Sequence, residues 1–189
     1  MSGIVVAALG PAPEAVLDRM EGELRRAFGL PGERGPAAPE PEGAYSPPRG
    51  QWLASEFLKR LLAHGAPGER VLGVTERDLF VPVLSFVYGQ AQLEGQAAVV
   101  SLARLRPEFH GLPPDDGVLE RRAATEAVHE VGHTFGLVHC LDRRCPMSLS
   151  IDLPDLDGKT AELCPGCAAL VRGGAEMKRA LARARGGQR

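Results

Sequence analysis

The segment HEVGHTFGLVH, residues 129–139, restricts the local fold more than any other part of the chain. His129 and His133 are four residues apart, so on an α-helix both imidazoles project from one face, one turn apart. On a continuous helix His139 would lie roughly 15 Å along the axis from His129, too far to share an ion. Gly136 accepts positive φ at little cost and commonly ends a helix. The sequence therefore predicts a helix, a break at Gly136, and a chain that returns His139 to the other two histidines.

Three converging histidines have the composition of a catalytic zinc site. Three protein ligands leave the fourth position of a zinc ion for water, whereas structural sites fill all four. Glu130 is next to His129 but angled away from the ligand pair, which suits a general base acting on metal-activated water. The pattern predicts hydrolysis of an amide, with Glu130 returning the proton to the leaving amine. The alternative is that the histidines only satisfy hydrogen bonds in the core.

All four cysteines of the chain lie close together, at Cys140, Cys145, Cys164 and Cys167. In a chain without an export signal, two close pairs indicate a metal more often than disulfides. Four thiolates around zinc make a structural site, and the CPGC segment is typical of half a zinc ribbon. Two disulfides or an iron–sulfur cluster are the alternatives. Because three histidines complete a catalytic set, we assign Cys140 to the thiolate site.

Hydrophobic periodicity predicts an α/β domain. The predicted strands are Ile4–Leu9, Arg70–Thr75 and a hairpin within Val83–Leu105 that turns at Leu93-Glu94-Gly95. The predicted helices are Pro13–Phe28, Gln51–His64, a helix capped by Asp115 or Asp116 that runs to about Phe135, and Ala168–Arg185. The segment Gly29–Gly50 is rich in proline, which excludes a central strand but permits an extended segment around Gly35–Tyr45. This order predicts a sheet domain followed by a small C-terminal part.

Composition excludes several classes of partner. The net charge is −2 and the sequence pI is about 6.2, so the chain has no overall attraction to nucleic acid or to an anionic membrane. No apolar run is long enough to span a bilayer, and the N-terminal sequence lacks a basic leader. We expect a cytoplasmic monomer with a peptide substrate and with no nucleic-acid or membrane partner.

The motif and its continuation resemble the metzincin zinc peptidases. HEVGHTFGLVH followed by Met147 has that family's order of active-site helix, third ligand and Met-turn. CLDRRCPM and the downstream CPGC resemble the archaemetzincin branch, and VLGVTERDLF and FVYGQAQ also look like it. The resemblance implies an α/β fold with a twisted, mostly parallel, mixed five-stranded sheet that has one antiparallel edge strand. It also implies an active-site helix and a small C-terminal helical part held in place by a zinc ion.

The resemblance also implies a role for each candidate residue. His129, His133 and His139 would bind a catalytic zinc, Glu130 would be the general base, and Met147 would form the floor beneath the metal. The four cysteines, Cys140, Cys145, Cys164 and Cys167, would bind a structural zinc, giving two zinc ions per chain. The only tyrosines are Tyr45 and Tyr88, neither near Met147 in sequence, so an oxyanion donor is left unassigned.

The implied sheet has two predicted edges. The first strand of the hairpin, near Leu84–Gln92, would be the antiparallel edge, and an extended peptide substrate would add to it through backbone hydrogen bonds. The proline-rich segment around Gly35–Tyr45 would be an outer strand. Residues 1–189 would form a single domain, with residues 1–136 ending in the active-site helix and residues 137–189 carrying the Met-turn and the cysteine site.

We therefore expect a zinc metallopeptidase. Two alternatives remain open: a zinc-containing protein that binds peptides with little or no turnover, and a hydrolase of a non-peptide amide. An intact Glu130 argues against pure binding, because a binding site needs no base.

Overall fold

The computed structural model describes residues 3–63 and 68–174. Its strands are β1 (Ile4–Ala8), β2 (Gly32–Arg34), β3 (Tyr45–Ser46), β4 (Gln51–Leu53), β5 (Arg70–Thr75), β6 (Leu79–Phe80), β7 (Gly89–Ala91) and β8 (Ala97–Ser101). Its helices are α1 (Glu14–Phe28), α2 (Ala54–Leu62), α3 (Asp116–Thr134), α4 (Leu153–Asp157) and α5 (165–174), with short 3₁₀ helices at Ala103–Leu105 and Pro107–His110. Within these residues, no helix is both long and apolar enough to cross a membrane.

Five strands form the main sheet, in the order β2-β1-β5-β8-β7. β1 pairs in parallel with β2 and β5, and β5 pairs in parallel with β8. β7 runs antiparallel to β8 at one edge. The expected mostly parallel sheet with one antiparallel edge strand is thus confirmed. A smaller sheet has the order β3-β4-β6.

Helices cover both faces of the main sheet because its central strands are apolar on both sides. Along β5, Leu72 and Val74 belong to the core that includes α1 and α3, whereas Val71 belongs to the core that includes α2. Successive strand residues point to opposite faces, so one apolar run supplies two cores. The core under α3 continues into the C-terminal segment through Met147 and Leu156. This continuity packs the C-terminal segment against the helix that carries the first two histidines.

The predicted helix Gln51–His64 is wrong over its first three residues, and its last residue, His64, lies outside the described residues. Gln51–Leu53 forms β4, which pairs in parallel with β6, and α2 begins only at Ala54. Trp52 fits a helical spacing of apolar residues, but its backbone N–H donates to the carbonyl of Asp78 at 2.9 Å. Because that partner is distant in sequence, the local pattern does not reveal the strand.

Both edges of the main sheet differ in extent from the prediction. The outer strand expected around Gly35–Tyr45 lies at Gly32–Arg34, and the chain then continues beside β1 to an isolated bridge at Ala38. The antiparallel edge expected near Leu84–Gln92 is regular only at Gly89–Ala91. Single backbone hydrogen bonds continue past both strands, from Gly35 to the Val6 carbonyl beside β2 and from Ser101 to the Tyr88 carbonyl beside β7.

The segment after α3 has little regular structure apart from α4 and α5. The last helix, predicted at Ala168–Arg185, begins at 165, and its predicted residues beyond 174 lie outside the described residues. The chain therefore relies on side-chain contacts, more than on backbone ladders, to fix the region that follows the histidine motif.

Candidate metal centre

Helix α3 positions the first two histidines and then turns the chain back. The helix begins after Asp115, whose side chain caps it by accepting a backbone N–H hydrogen bond at 2.9 Å. It ends at Thr134, and Gly136, two residues later, has φ +89°. The N–H groups of Gly136 and Leu137 donate to the carbonyls of His133 and Gly132, which is the Schellman pattern. The predicted break at Gly136 is confirmed.

The turn brings the three histidines together. The Nε2 atoms of His129 and His133 are 3.1 Å apart. The ring centroid of His139 lies 5.4 Å from that of His129 and 5.3 Å from that of His133. One potential ligand atom from each residue lies within 4.8 Å of the others. Two zinc–nitrogen bonds of about 2.0–2.1 Å in a tetrahedron separate the nitrogens by about 3.3 Å, close to the 3.1 Å between the Nε2 atoms of His129 and His133. Because His139 is exposed, the site opens toward solvent on its side.

Backbone carbonyls orient two of the rings. Nδ1 of His129 donates to the Pro146 carbonyl at 2.8 Å, and Nδ1 of His133 donates to the Leu137 carbonyl at 2.7 Å. A carbonyl oxygen only accepts, so each Nδ1 carries the proton and each Nε2 presents a lone pair. Burial lowers the pKa of both histidines to about 4, which keeps the rings neutral. Neutral, oriented imidazoles are what a metal ion requires.

Glu130 is held between α3 and the edge strand. Its residue is only 5% exposed, and burial together with the neighbouring Glu126 raises the pKa of its carboxyl well above the ordinary value. Gly89 of β7 packs directly against it. A Cβ at Gly89 would lie 2.5 Å from Cγ of Glu130 and 2.7 Å from the carbonyl oxygen of Val99. A glycine at this position is therefore part of the site, although no spacing in the motif indicates it.

We expect Gly89→Ala to lower peptide hydrolysis more than it lowers stability. The added methyl group would displace either the Glu130 side chain or the Val99 carbonyl, and a 1 Å displacement at a reacting group costs on the order of 100-fold in rate. Overpacking of this kind destabilises a fold by about 1–3 kcal/mol. The comparison is kcat/KM and melting temperature beside Gly173→Ala, where a Cβ meets nothing within 4 Å. Equal kcat/KM in the two variants would show that Glu130 does not depend on this contact.

Met147 lies beneath α3, where the sequence places the Met-turn. Its side chain is completely buried, and a Cβ at Gly132 would overlap its sulfur atom. The carbonyl of Met147 accepts a hydrogen bond from the N–H of Cys140 at 2.9 Å, next to the third histidine. The preceding carbonyl, of Pro146, is the one that orients His129. One short segment thus supports two of the three histidines from below.

A cavity of about 500 Å³ opens beside the histidines. It is lined by residues 84–91, which lead into and form β7, by residues 149–151, and by Glu126 and Glu130 of α3. Tyr88 lines it as well, and burial, followed by the charge of Glu126, raises the pKa of this phenol to about 12. Burial also raises the pKa of Glu126 to about 7. The motif alone did not identify Tyr88 or Glu126, although Glu126 precedes His129 by three positions and so shares its helix face.

The four cysteines form a second cluster. The sulfur atoms lie within 4.8 Å of one another, with Cys140–Cys164 and Cys145–Cys167 separations of 3.8 Å each. Four zinc–sulfur bonds of about 2.3 Å in a tetrahedron separate the sulfur atoms by about 3.8 Å. A disulfide would need about 2.05 Å, and all four cysteines are free. The spacing therefore fits a closed thiolate metal site and does not fit the disulfide alternative.

These features together are those of a zinc metallopeptidase. The sheet is mostly parallel with an antiparallel edge, one helix bears two histidines, a third histidine follows a tight turn, and a buried methionine lies below them. Comparison with known proteins agrees with this class. The chain belongs to peptidase family M54, whose family model matches residues 65–173.

Several relatives of this chain are archaemetzincins. The chain is 42% identical over 164 residues to the archaemetzincin of Methanocaldococcus jannaschii, covering 87% of this chain and 89% of that protein. It is 41% identical over 162 residues to the archaemetzincin of Methanopyrus kandleri, covering 86% of this chain and 89% of that protein. The predicted archaemetzincin resemblance is confirmed.

Solved structures resemble the whole described fold. The crystal structure of the Methanopyrus kandleri archaemetzincin superposes with a TM-score of 0.84 at 39% identity, covering 93% of this chain and 96% of that one. A zinc-dependent peptidase from Methanocorpusculum labreanum superposes with a TM-score of 0.80 at 29% identity, covering 89% of this chain and 100% of that one. The likeness therefore extends well beyond the histidine motif.

Proposed function

We propose that this chain hydrolyses peptide bonds, with a zinc ion held by His129, His133 and His139 and with Glu130 as the general base. The observation that carries the proposal is the pair of carbonyl-oriented imidazoles, whose Nε2 lone pairs converge with His139. The buried position of Glu130 beside these rings supports its role. Membership of a peptidase family supports a peptide as the substrate.

The chemistry is divided between the metal and one carboxylate. When bound, zinc would lower the pKa of a water molecule and polarise the scissile carbonyl. Glu130 accepts the proton that the attacking water loses and delivers it to the leaving amine. Because burial raises the pKa of Glu130, its carboxyl group holds that proton more firmly than an exposed glutamate would. Both proton transfers then use a single side chain, which packs against Gly89.

The substrate would bind as an added strand along β7. This strand is at one end of the main sheet, and its far side pairs with no other strand among the described residues. An extended peptide would satisfy those backbone groups and lie across the mouth of the cavity beside the histidines. The proposed binding edge is Gly89–Ala91 and the approach to it from Leu84.

The four cysteines would hold a second zinc ion, giving two per chain. A closed set of four thiolates leaves no position for water, so its role would be structural. Cys145, Cys167 and Val171 pack in the same core as α1 and α3, which supports a single domain spanning the histidine and cysteine regions.

A peptide-library digest with metal analysis tests the proposal. The zinc-loaded protein should contain two zinc ions per chain and cleave peptides, and mild chelation should remove the more open histidine-bound zinc and abolish cleavage reversibly. Zinc-dependent peptide binding without cleavage would favour the non-catalytic alternative. Cleavage of small amides but of no peptide would favour the non-peptide hydrolase.

A further inference from the structure

Two buried polar groups line the cavity and have no part in the hydrolytic proposal. Glu126 is 4% exposed, and its Oε2 has no hydrogen-bond partner among residues 3–63 and 68–174. The hydroxyl of Ser150 lines the same cavity, is buried, and likewise has no partner in that part of the chain. Buried polar atoms in folded proteins are nearly always paired, so two unpaired groups in one cavity indicate that a ligand supplies the donors.

Glu126 also forms no ion pair among residues 3–63 and 68–174. Lys159 is the nearby positive charge, and its ammonium donates to the carbonyls of Pro146, at 3.4 Å, and Ser148. Lys159 forms no ion pair with Glu126 in the described structure. Burial favours the neutral form of the Glu126 carboxyl group, whereas a cation entering the cavity would favour the ionised form and pair with it. The group that complements this cavity is therefore a cationic hydrogen-bond donor.

The rest of the cavity lining is suited to the aliphatic stem of a long substrate side chain. Leu84, Leu149 and Ile151 line the cavity and are 53%, 57% and 74% exposed, which places apolar side chains at its solvent-facing rim. Lysine and arginine combine such a stem with a cationic end, and they bury the stem along apolar surface. A free amino terminus has a cation but no stem. The combination of an apolar rim and a buried carboxyl group thus favours a basic side chain.

The order of contacts along α3 indicates which substrate residue would meet Glu126. Gly89 of β7 packs on Glu130. In the turn after β7, the N–H of Glu94 donates to the carbonyl of His133, farther along α3, at 2.9 Å. α3 and β7 therefore run in the same direction, and Glu126 lies toward the start of β7. A peptide antiparallel to β7, which is the more stable pairing, would pass the histidines first and Glu126 next. The residue that follows the scissile bond would then face Glu126.

We propose that Glu126 and Ser150 form a specificity pocket for a lysine or arginine side chain at the substrate residue that follows the scissile bond. The inference rests on the proposed peptidase function. The Glu126 carboxylate and the Ser150 hydroxyl accept hydrogen bonds from the ammonium or guanidinium group, while the apolar rim contacts the methylene groups.

The kinetic test uses N-acetylated quenched peptides that differ only at that residue, which is lysine, arginine or norleucine. Norleucine keeps the stem of lysine and removes the charge. The wild type should cleave the basic peptides with a kcat/KM about 10–100-fold above the norleucine peptide, the range expected for hydrogen bonds to a charged group. Glu126→Gln should reduce this ratio to near one. Ser150→Ala should reduce it about threefold, and it provides a second test if Glu126→Gln does not fold.

Glu33→Gln is the matched control, because Glu33 is exposed on β2 at the opposite edge of the sheet. It removes the same charge and should keep the wild-type ratio. A ratio near one in the wild type, with the norleucine peptide still cleaved, would overturn the pocket and leave the peptidase proposal intact. Cleavage that requires a free amino terminus, with no difference between the lysine and norleucine peptides, would assign the cation to the amino terminus and overturn the side-chain pocket.

A binding measurement separates this inference from catalysis. In the Glu130→Gln background, fluorescence anisotropy should show tighter binding of the lysine peptide than of the norleucine peptide, and adding Glu126→Gln should remove the difference. If the wild type cleaves no peptide but this binding difference persists, the pocket is supported while the hydrolytic proposal fails. Equal binding of the two peptides would overturn the pocket.

Discussion

Glu130→Gln is expected to lower kcat for peptide hydrolysis by about 10²–10⁴-fold, the contribution typical of a positioned general base. The amide has the size of the carboxyl group, so the contact with Gly89 and the helix packing should persist. The amide of the glutamine, however, cannot accept the proton of the attacking water. Zinc content should remain at the wild-type value, because no histidine or cysteine ligand changes.

The matched control for this prediction is Glu120→Gln on the same helix. Position 120 is ten residues before Glu130, about 15 Å along the axis, and the substitution removes the same charge. Zinc content, melting temperature and kcat are measured for both variants with one peptide. Wild-type kcat in Glu130→Gln would refute the assignment of the base, and Glu126 would become the carboxylate to test next, since it lines the same cavity.

The parts of the fold that could be predicted are those where several local signals agree. α1 combines regular apolar spacing with Pro13 before it and Gly29 in the left-handed conformation after it. α3 combines a capping aspartate, Asp115, with Gly136 at its end. Each signal is encoded within a few residues, so the sequence alone determines where these helices begin and end.

The parts that could not be predicted depend on distant partners. β4 exists because Gln51 and Trp52 bond to Asp78, through a side-chain contact of 3.0 Å and a backbone contact of 2.9 Å. β2 is placed by β1, and a Cβ at Gly32 would lie 3.1 Å from the carbonyl of Glu21 in α1. Local propensity is a weak guide where tertiary pairing determines the conformation.

The candidate site also has residues that the sequence predicts and residues that only the fold reveals. The histidines and cysteines are recognisable from spacing because a metal constrains several ligands at once. Gly89, Glu126 and Ser150 come from three separate segments, and each residue type is common in proteins. Their relevance appears only when the fold brings them around one cavity.

Cys164→Ser is expected to destabilise the C-terminal part and to reduce the zinc content from two ions per chain to one. Structural zinc contributes on the order of 10 kcal/mol in small metal-dependent folds. Loss of about a third of that value would lower the melting temperature by roughly 7–13 °C, at about 2–4 °C per kcal/mol for a chain of this size. Hydrogen exchange should rise between residues 137 and 174, where little regular structure holds the backbone.

His139→Ala is the matched comparison, because it also should remove one zinc ion but at the open site. His139 is exposed and contributes little to the core, so its loss should abolish cleavage with a much smaller change in melting temperature. Cys145 and Cys167 are buried at 1% and 6% exposure within the core that contains Met147. A thiolate site lost there removes support from the segment that orients His129, so Cys164→Ser should also lower activity indirectly. Thermal unfolding of Cys164→Ser at the wild-type temperature would contradict the structural role of the cysteine site.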